Sequence, residues 1–100
     1  MVCVPSRAEG FGLQVLEALA VGVPLVATDL EAIRELAGDT AVLVPVGNEA
    51  ALADALGRAL DGAVTDSQVA AGKNKASTMT WETCGALTIS AYERALSLQR

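Results

Sequence analysis

The chain has 100 residues, of which 52% are hydrophobic, and it carries a formal net charge of −5. This length allows one domain at most, and the acidic balance argues against a surface for nucleic acids or anionic membranes. The sequence contains no histidine, which excludes histidine-based acid–base catalysis, Ser-His triads and His-ligated metal sites.

The hydrophobic residues form no run of the ~18 residues needed to cross a bilayer, and the sequence does not open with a signal-peptide pattern. Cys3 and Cys84 are therefore interpreted as small core residues of a reduced, cytoplasmic protein. The hydrophobic content is high for a domain of this size, which predicts an apolar face that needs a partner.

Three short apolar segments are predicted to be strands: Val2–Val4, Leu25–Thr28 and Ala41–Val44. They do not alternate between apolar and polar residues, as expected for strands that are buried on both faces. Helical segments separate them, which predicts a parallel sheet with right-handed crossovers. The predicted fold class is therefore α/β, a partial Rossmann-like domain with a short parallel sheet of about three strands and flanking helices.

Five helices are predicted from apolar stripes and capping residues. The second is expected to follow an N-cap at Asp29 and the third an N-cap at Asn48, and the stripe of the third includes Leu60. The N-cap of the fourth is expected among Thr65, Asp66 and Ser67, and that of the fifth is Thr80. The last is long and follows Thr80, and its Trp81 and Tyr92 are interpreted as core residues. The predicted ranges are Leu13–Val21, Leu30–Ala37, Glu49–Leu60, about residues 66–77, and Trp81 to about Leu98.

The turn between the first strand and the first helix has the features of an anion-binding site. Gly10 and Gly12 lack a Cβ atom, so a ligand can approach the backbone closely and positive φ angles are permitted. The first backbone N–H groups of the helix have no acceptor within it, so they are free to bind a phosphate or a sugar hydroxyl. Two carboxylates flank the turn, Glu9 within it and Glu17 on a helix that is otherwise almost wholly apolar.

These features lie in one continuous run, PSRAEGFGLQVLEALAVGVPLVAT, in which seven residues separate Glu9 from Glu17. The run resembles the nucleotide-sugar-binding segment of the family 4 retaining glycosyltransferases, which have the two-domain GT-B fold. The similarity continues through residues 34–39 and 43–45 and extends to parts of the last helix. Gln14 stands where the family usually has proline.

The resemblance implies that residues 1–100 are a single partial domain, the distal half of a GT-B donor-binding domain, with the acceptor domain absent from this chain. It implies an enzyme that transfers a sugar from a nucleotide-diphosphate sugar to an acceptor with retention, without a metal or another cofactor. Because the family's cationic groups lie mainly in the other half of the domain, the 100 residues alone are expected to be inactive. The implied partners are the donor and either the missing acceptor domain or a second copy.

The resemblance also implies roles for individual residues. Glu9 is the candidate catalytic residue, which hydrogen-bonds the transferred sugar and places its anomeric carbon, and Glu17 accepts hydrogen bonds from the ribose. Arg7 is either a contact of the diphosphate or a surface charge. The ring of Phe11 is predicted to cover the core beneath the loop. The other donor-binding candidates act through the backbone: Gly10, Phe11, Gly12 and Leu13.

Two other classes of function stay open. One is a non-catalytic module that binds a nucleotide or a sugar. The other is a Rossmann-type dinucleotide binder, which is disfavoured because no glycine follows Gly10-Phe11-Gly12 at the third residue.

Overall fold

A computed structural model describes residues 1–99 of the chain. Its sheet has three parallel strands in sequence order, β1 (Val2–Val4), β2 (Leu25–Thr28) and β3 (Val42–Val44). The predicted α/β class with a short parallel sheet is confirmed. A 3-10 turn at Gly38–Thr40 was not predicted. The α-helices are α1 (Leu13–Val21), α2 (Glu31–Ala37), α3 (Glu49–Leu60), α4 (Asp66–Ser77) and α5 (Trp81–Leu98).

Helices cover both faces of the sheet, as a parallel sheet requires. On one face α1, α2 and α4 form the larger cluster of buried side chains, in which Leu25 and Ile33 are fully buried. On the other face α3 packs on β2 and β3, with Val26 fully buried. Successive residues of β2 therefore enter different clusters, which explains why the strand is apolar without alternation.

Cys3 is exposed, so its interpretation as a core residue is wrong. It is opposite Val26 in the sheet and so faces the same side as α3. Helix α3 packs on β2 and β3, whereas β1 is an edge strand that α3 does not cover. The second face of β1 is consequently open.

The helix ends confirm most of the predicted caps. The side chains of Asn48, Thr65 and Thr80 each accept a hydrogen bond from the first turn of α3, α4 and α5. Asp29 is not an N-cap: Leu30 takes that position without a side-chain bond. The Asp29 carboxylate instead accepts a hydrogen bond from Arg34 Nε at 2.8 Å. Leu60, predicted to belong to the buried stripe of α3, is 74% exposed.

Helix α5 has the predicted bounds but not the predicted burial. None of its residues is buried, and Trp81 and Tyr92 are 85% and 67% exposed. The interpretation of Trp81, Cys84 and Tyr92 as core residues is therefore wrong, because α5 does not pack on the sheet or on the helices that cover it. The Cα radius of gyration of 16.2 Å exceeds the value of about 13 Å for a compact domain of this length.

Within residues 1–99, none of the helices combines the length and apolar character that crossing a membrane requires.

Candidate functional site

The predicted site residues lie at or next to the carboxyl edge of the sheet. Each strand ends there, and α1, α2 and α3 each begin just beyond it. In open parallel sheets this edge is where ligands bind, because helix N-termini and connecting loops converge on it. The loop between β1 and α1, residues 5–12, carries five of the seven predicted site residues.

Gly12 is the N-cap of α1 and has a φ angle of +90°. A side chain here would be strained, and a Cβ atom would also lie 3.3 Å from Leu36 Cδ1. Gly10 is exposed, has no positive φ and has open space around it. Gly12 thus adopts the positive φ angle that glycine permits, whereas at Gly10 the missing side chain leaves room beside the backbone.

The start of α1 presents a row of free backbone donors. No acceptor among residues 1–99 receives a hydrogen bond from the backbone N–H groups of residues 10–14, and no side chain caps the helix. The carbonyl oxygen of Gly12, by contrast, accepts from Val15 and Leu16 at 3.0 and 3.2 Å. Five consecutive donors at the positive end of a helix dipole form a binding surface for an anion.

Glu9 is half-buried and is held by a neighbouring side chain. Ser6 Oγ donates a hydrogen bond to Glu9 Oε1 at 2.7 Å. The carbonyl oxygen of Ser6 in turn accepts from Thr28 Oγ1 at 2.6 Å. Thr28 is 4% exposed and ends β2, so the chain of bonds leads from the sheet to the Glu9 carboxylate.

Glu17 and Leu13 lie on the same side of α1, one turn apart. Both are exposed, whereas Val15, Ala18 and Leu19 form the buried side of the helix. Glu17 is therefore not a polar residue among buried neighbours, as its helix suggested; it lies on the outer face. Side chains of a helix lean toward its N-terminus, which directs Glu17 toward the start of α1.

Phe11 does not cover the core as predicted. It is 51% exposed and lines an apolar groove of about 970 Å³. Leu13 and Leu16 of α1 form one wall of this groove, and the α4–α5 junction with the first half of α5 forms the other. Neither Glu9 nor Glu17 lines the groove.

Arg7 lies away from the start of α1. It lines a small cleft of about 120 Å³ together with Thr28 and the β3–α3 loop. Its Nη1 atom is 3.7 Å from the position that a Cβ atom on Gly47 would take. Arg7 makes no ion pair with any acid of residues 1–99. The guanidinium is thus free, but it points across the sheet edge to the β3 side.

Other charged groups contribute little to the site. Asp29 raises the pKa of Arg34 above its ordinary value through their hydrogen bond, on the exposed start of α2. Across residues 1–99 there is no group of three or more Cys, Asp and Glu side chains that could hold a metal ion.

Sequence reasoning missed Ser6 and Thr28, the two residues that hold Glu9. Ser6 has a local signal, since a serine three residues before a glutamate is the spacing at which their side chains reach each other in a turn or helix start. Thr28 has no such signal, because its bond to Ser6 joins residues that are 22 positions apart.

Comparison with known proteins identifies relatives for most of the chain. The family model described as Glycosyl transferases group 1 matches residues 1–62. The chain is 39% identical over 95 residues to the phosphatidyl-myo-inositol mannosyltransferase of Mycobacterium leprae (strain TN), covering 91% of this chain and 25% of the relative. It is 36% identical over 90 residues to the O-antigen chain mannosyltransferase B of Escherichia coli, covering 89% and 24%.

A solved structure has the same fold. The sucrose-phosphate synthase of Thermosynechococcus elongatus superposes with a TM-score of 0.81 at 29% identity, over 96% of this chain and 25% of that one. The chain thus spans about a quarter of the length of these relatives. Together, the family match, the sequence identities and the fold show that the chain belongs to the group 1 glycosyl transferases, the GT4-like enzymes of GT-B fold.

Proposed function

We propose that this chain is the distal half of the donor-binding domain of a retaining glycosyltransferase, and that it binds the sugar, diphosphate and ribose of a nucleotide-diphosphate sugar. The observation that carries the proposal is the row of free N–H groups of residues 10–14 beside Glu9, at the carboxyl edge of the sheet. A chain of −5 net charge attracts an anionic donor only through such local groups.

In this proposal the diphosphate accepts hydrogen bonds from the start of α1. The donors keep the same positions before and during the reaction, so they stabilise the negative charge that develops on the departing diphosphate. The open space at Gly10 lets the ligand approach the backbone. The family's sugar transfer from an activated donor is thereby assisted without a proton transfer or a metal in this part of the enzyme.

The two glutamates contact the polyhydroxylated parts of the donor. Glu9, oriented by Ser6, accepts hydrogen bonds from the transferred sugar and sets the position of its anomeric carbon. Glu17, on the outer face of α1, accepts from the ribose. Arg7 contacts the diphosphate only after its side chain leaves its position beside Gly47. Mannose is the first sugar to test, since two relatives are named mannosyltransferases.

Titration of the chain with GDP-mannose and with UDP-glucose, followed by amide chemical shifts, tests the proposal. We expect the largest shifts at residues 10–14 and an affinity of about millimolar or weaker. A helix N-terminus supplies up to ~2 kcal/mol, whereas a millimolar constant requires about 4. Shifts confined to other segments would contradict the proposal. A micromolar constant would favour the alternative function, a non-catalytic module with a complete site.

Two glycines of α1 supply a matched pair of variants for this titration. Gly12 and Gly22 cap the two ends of the helix with φ angles of +90° and +82°. Alanine introduces similar backbone strain at either position, but only Gly12 adjoins the proposed site. Gly12→Ala is expected to weaken binding and Gly22→Ala to leave it unchanged at equal folded fraction.

We also propose how the rest of the chain is used. Cys3 and Cys84 are both exposed free thiols, a state that persists in the reducing cytoplasm. The exposed apolar side of α5 is covered either by the acceptor domain of a longer enzyme or, in this chain by itself, by a second copy.

A further inference from the structure

We propose that Thr28 and Ser6 are positioning residues, which fix the Glu9 carboxylate in the orientation that receives the donor sugar. The inference rests on the function proposed above for Glu9. It assigns to the hydroxyl of Thr28 a role in sugar recognition that acts through Ser6 and Glu9.

The loop between β1 and α1 has few hydrogen bonds to the rest of the protein. Residues 5–11 make no backbone–backbone hydrogen bond, and the bond from Thr28 Oγ1 to the Ser6 carbonyl is the only hydrogen bond that joins them to another element within residues 1–99. Free loops move on a timescale of nanoseconds to microseconds. The hydrogen bond from the Thr28 hydroxyl therefore holds Ser6 in a fixed position relative to the sheet.

Thr28, the residue that anchors the loop, is held rigidly. Thr28 is 4% exposed, and it lies opposite Val44 in the pairing of β2 with β3. Its backbone carbonyl also accepts from Leu30 at 2.9 Å. A β-branched side chain at a buried strand position has few accessible rotamers. The hydroxyl is thus presented to the loop from a fixed point.

Ser6 connects Thr28 to the Glu9 carboxylate. The carbonyl oxygen of Ser6 accepts a hydrogen bond from Thr28 Oγ1, and the hydroxyl of Ser6 donates one to Glu9 Oε1. One oxygen of Glu9 is therefore held by Ser6, which leaves the second free to accept from a ligand. A long glutamate side chain on an exposed loop otherwise loses considerable rotamer freedom when it binds. Holding it beforehand removes part of that cost.

Two isosteric variants separate this role from a general effect on folding. Thr28→Val removes the hydroxyl that bonds Ser6. Thr40→Val removes an equivalent hydroxyl: Thr40 is 9% exposed and its Oγ1 donates to the Ala37 carbonyl at 2.6 Å. Thr40 precedes β3 and so lies at the opposite edge of the sheet. Thr28→Ser, which keeps the hydroxyl, is the rescue variant.

The first measurement needs no ligand. We expect three-bond NMR couplings of the Glu9 side chain to report one rotamer in the wild-type chain and averaged rotamers in Thr28→Val and Ser6→Ala. Thr40→Val and Thr28→Ser keep the wild-type couplings. Wild-type couplings in folded Thr28→Val, or averaged couplings already in the wild type, overturn the positioning role whatever the protein binds.

The second measurement compares GDP-mannose with GDP. Thr28→Val and Ser6→Ala are expected to weaken GDP-mannose binding about two- to tenfold, the effect of one hydrogen bond, and to leave GDP binding unchanged. If Glu9→Gln weakens GDP-mannose binding while Thr28→Val does not, the positioning role is wrong and the proposed function stands. If Glu9→Gln has no effect either, the sugar contact assigned to Glu9 under the proposed function is wrong.

Discussion

The body of the molecule, residues 1–77, and helix α5 differ sharply in how their apolar residues are used. In the body, α1 and α3 pack on the sheet, α2 and α4 pack on α1, and residues such as Ile33 and Val26 are fully buried. In α5, an 18-residue helix, even Trp81 is 85% exposed. Both regions have a clear apolar stripe in the sequence. An apolar stripe therefore predicts that a helix face is suited to burial, but not that this chain provides the surface that buries it.

The difference assigns separate roles to the two regions. The body has the sheet, the covering helices and the row of free N–H groups, so it holds the candidate site. Helix α5 adds one wall of the groove that Phe11 also lines, and its remaining apolar surface is open. Three pairs of variants test whether α5 is energetically separate from the body.

The largest expected difference concerns apolar truncation. Leu25→Ala, at a residue that is 1% exposed, should reduce the free energy of unfolding by about 2–5 kcal/mol because it leaves a cavity in the core. Leu96→Ala, in α5 at 62% exposure, should change it by less than about 0.5 kcal/mol. Chemical denaturation at low micromolar protein provides both values. A similar loss for both variants would show that α5 is packed in solution.

A smaller effect concerns self-association through α5. Its apolar face consists of Trp81, Cys84, Leu87, Ala91, Tyr92, Ala95 and Leu98. We expect a concentration-dependent dimer, and Tyr92→Glu should weaken it about 30-fold, the effect of losing ~2 kcal/mol at a central aromatic contact.

Ser90→Glu is the control for that variant, because it adds the same charge to the polar side of α5 and should leave the dimer intact. Light scattering after gel filtration, in the presence of a reductant, measures the dimer fraction of both variants. A wild-type chain that stays monomeric at high concentration would refute the dimer.

The smallest effect uses two helical glycines. A Cβ atom at Gly72 in α4 would lie 2.8 Å from the buried Leu19 Cδ2, whereas one at Gly85 in α5 would meet nothing within 4 Å. Overpacking of about 1–3 kcal/mol exceeds the gain of ~1 kcal/mol in helix propensity, so Gly72→Ala should destabilise the body by about 1 kcal/mol.

Gly85→Ala should stabilise its helix, and the effect should be confined to α5. It gains about 1 kcal/mol of helix propensity, visible as slower hydrogen exchange within α5 and not as a change in the unfolding of the body. If Gly72→Ala raised the free energy of unfolding of the body, or if Gly85→Ala changed it, the structural difference between the body and α5 would be contradicted.

The elements and most of their caps could be predicted from the sequence because those signals are local. Thr65 and Thr80 bond to residues three positions later, and such pairs are visible in the chain itself. Asp29 shows the limit of this reasoning. Its carboxylate accepts a hydrogen bond from Arg34, five residues later, and no side chain accepts a hydrogen bond from the start of α2.

Burial was harder to predict, since it depends on the neighbouring elements. Cys3 sits in a strand as apolar as β2, yet it is exposed because α3 covers only the other two strands. In the site, the special backbone of Gly12 was predictable from the strand–turn–helix pattern. The role of Thr28 as an anchor could not be predicted, because its partner is 22 residues away and no local sequence pattern indicates such a contact.

The order of the strands has a consequence for how the body forms. Each strand pairs with the next one in the chain, Val2 with Leu25 and Val26 with Val42. Closing these loops costs less entropy than pairing strands that lie farther apart in the chain, although parallel pairing is slower than the formation of local contacts. We expect the β1–α1–β2 unit to form first and β3 then to add to the free edge of β2. Both partners of the bond that anchors the Glu9 loop, Ser6 and Thr28, lie within that first unit, so the anchor requires neither β3 nor α5.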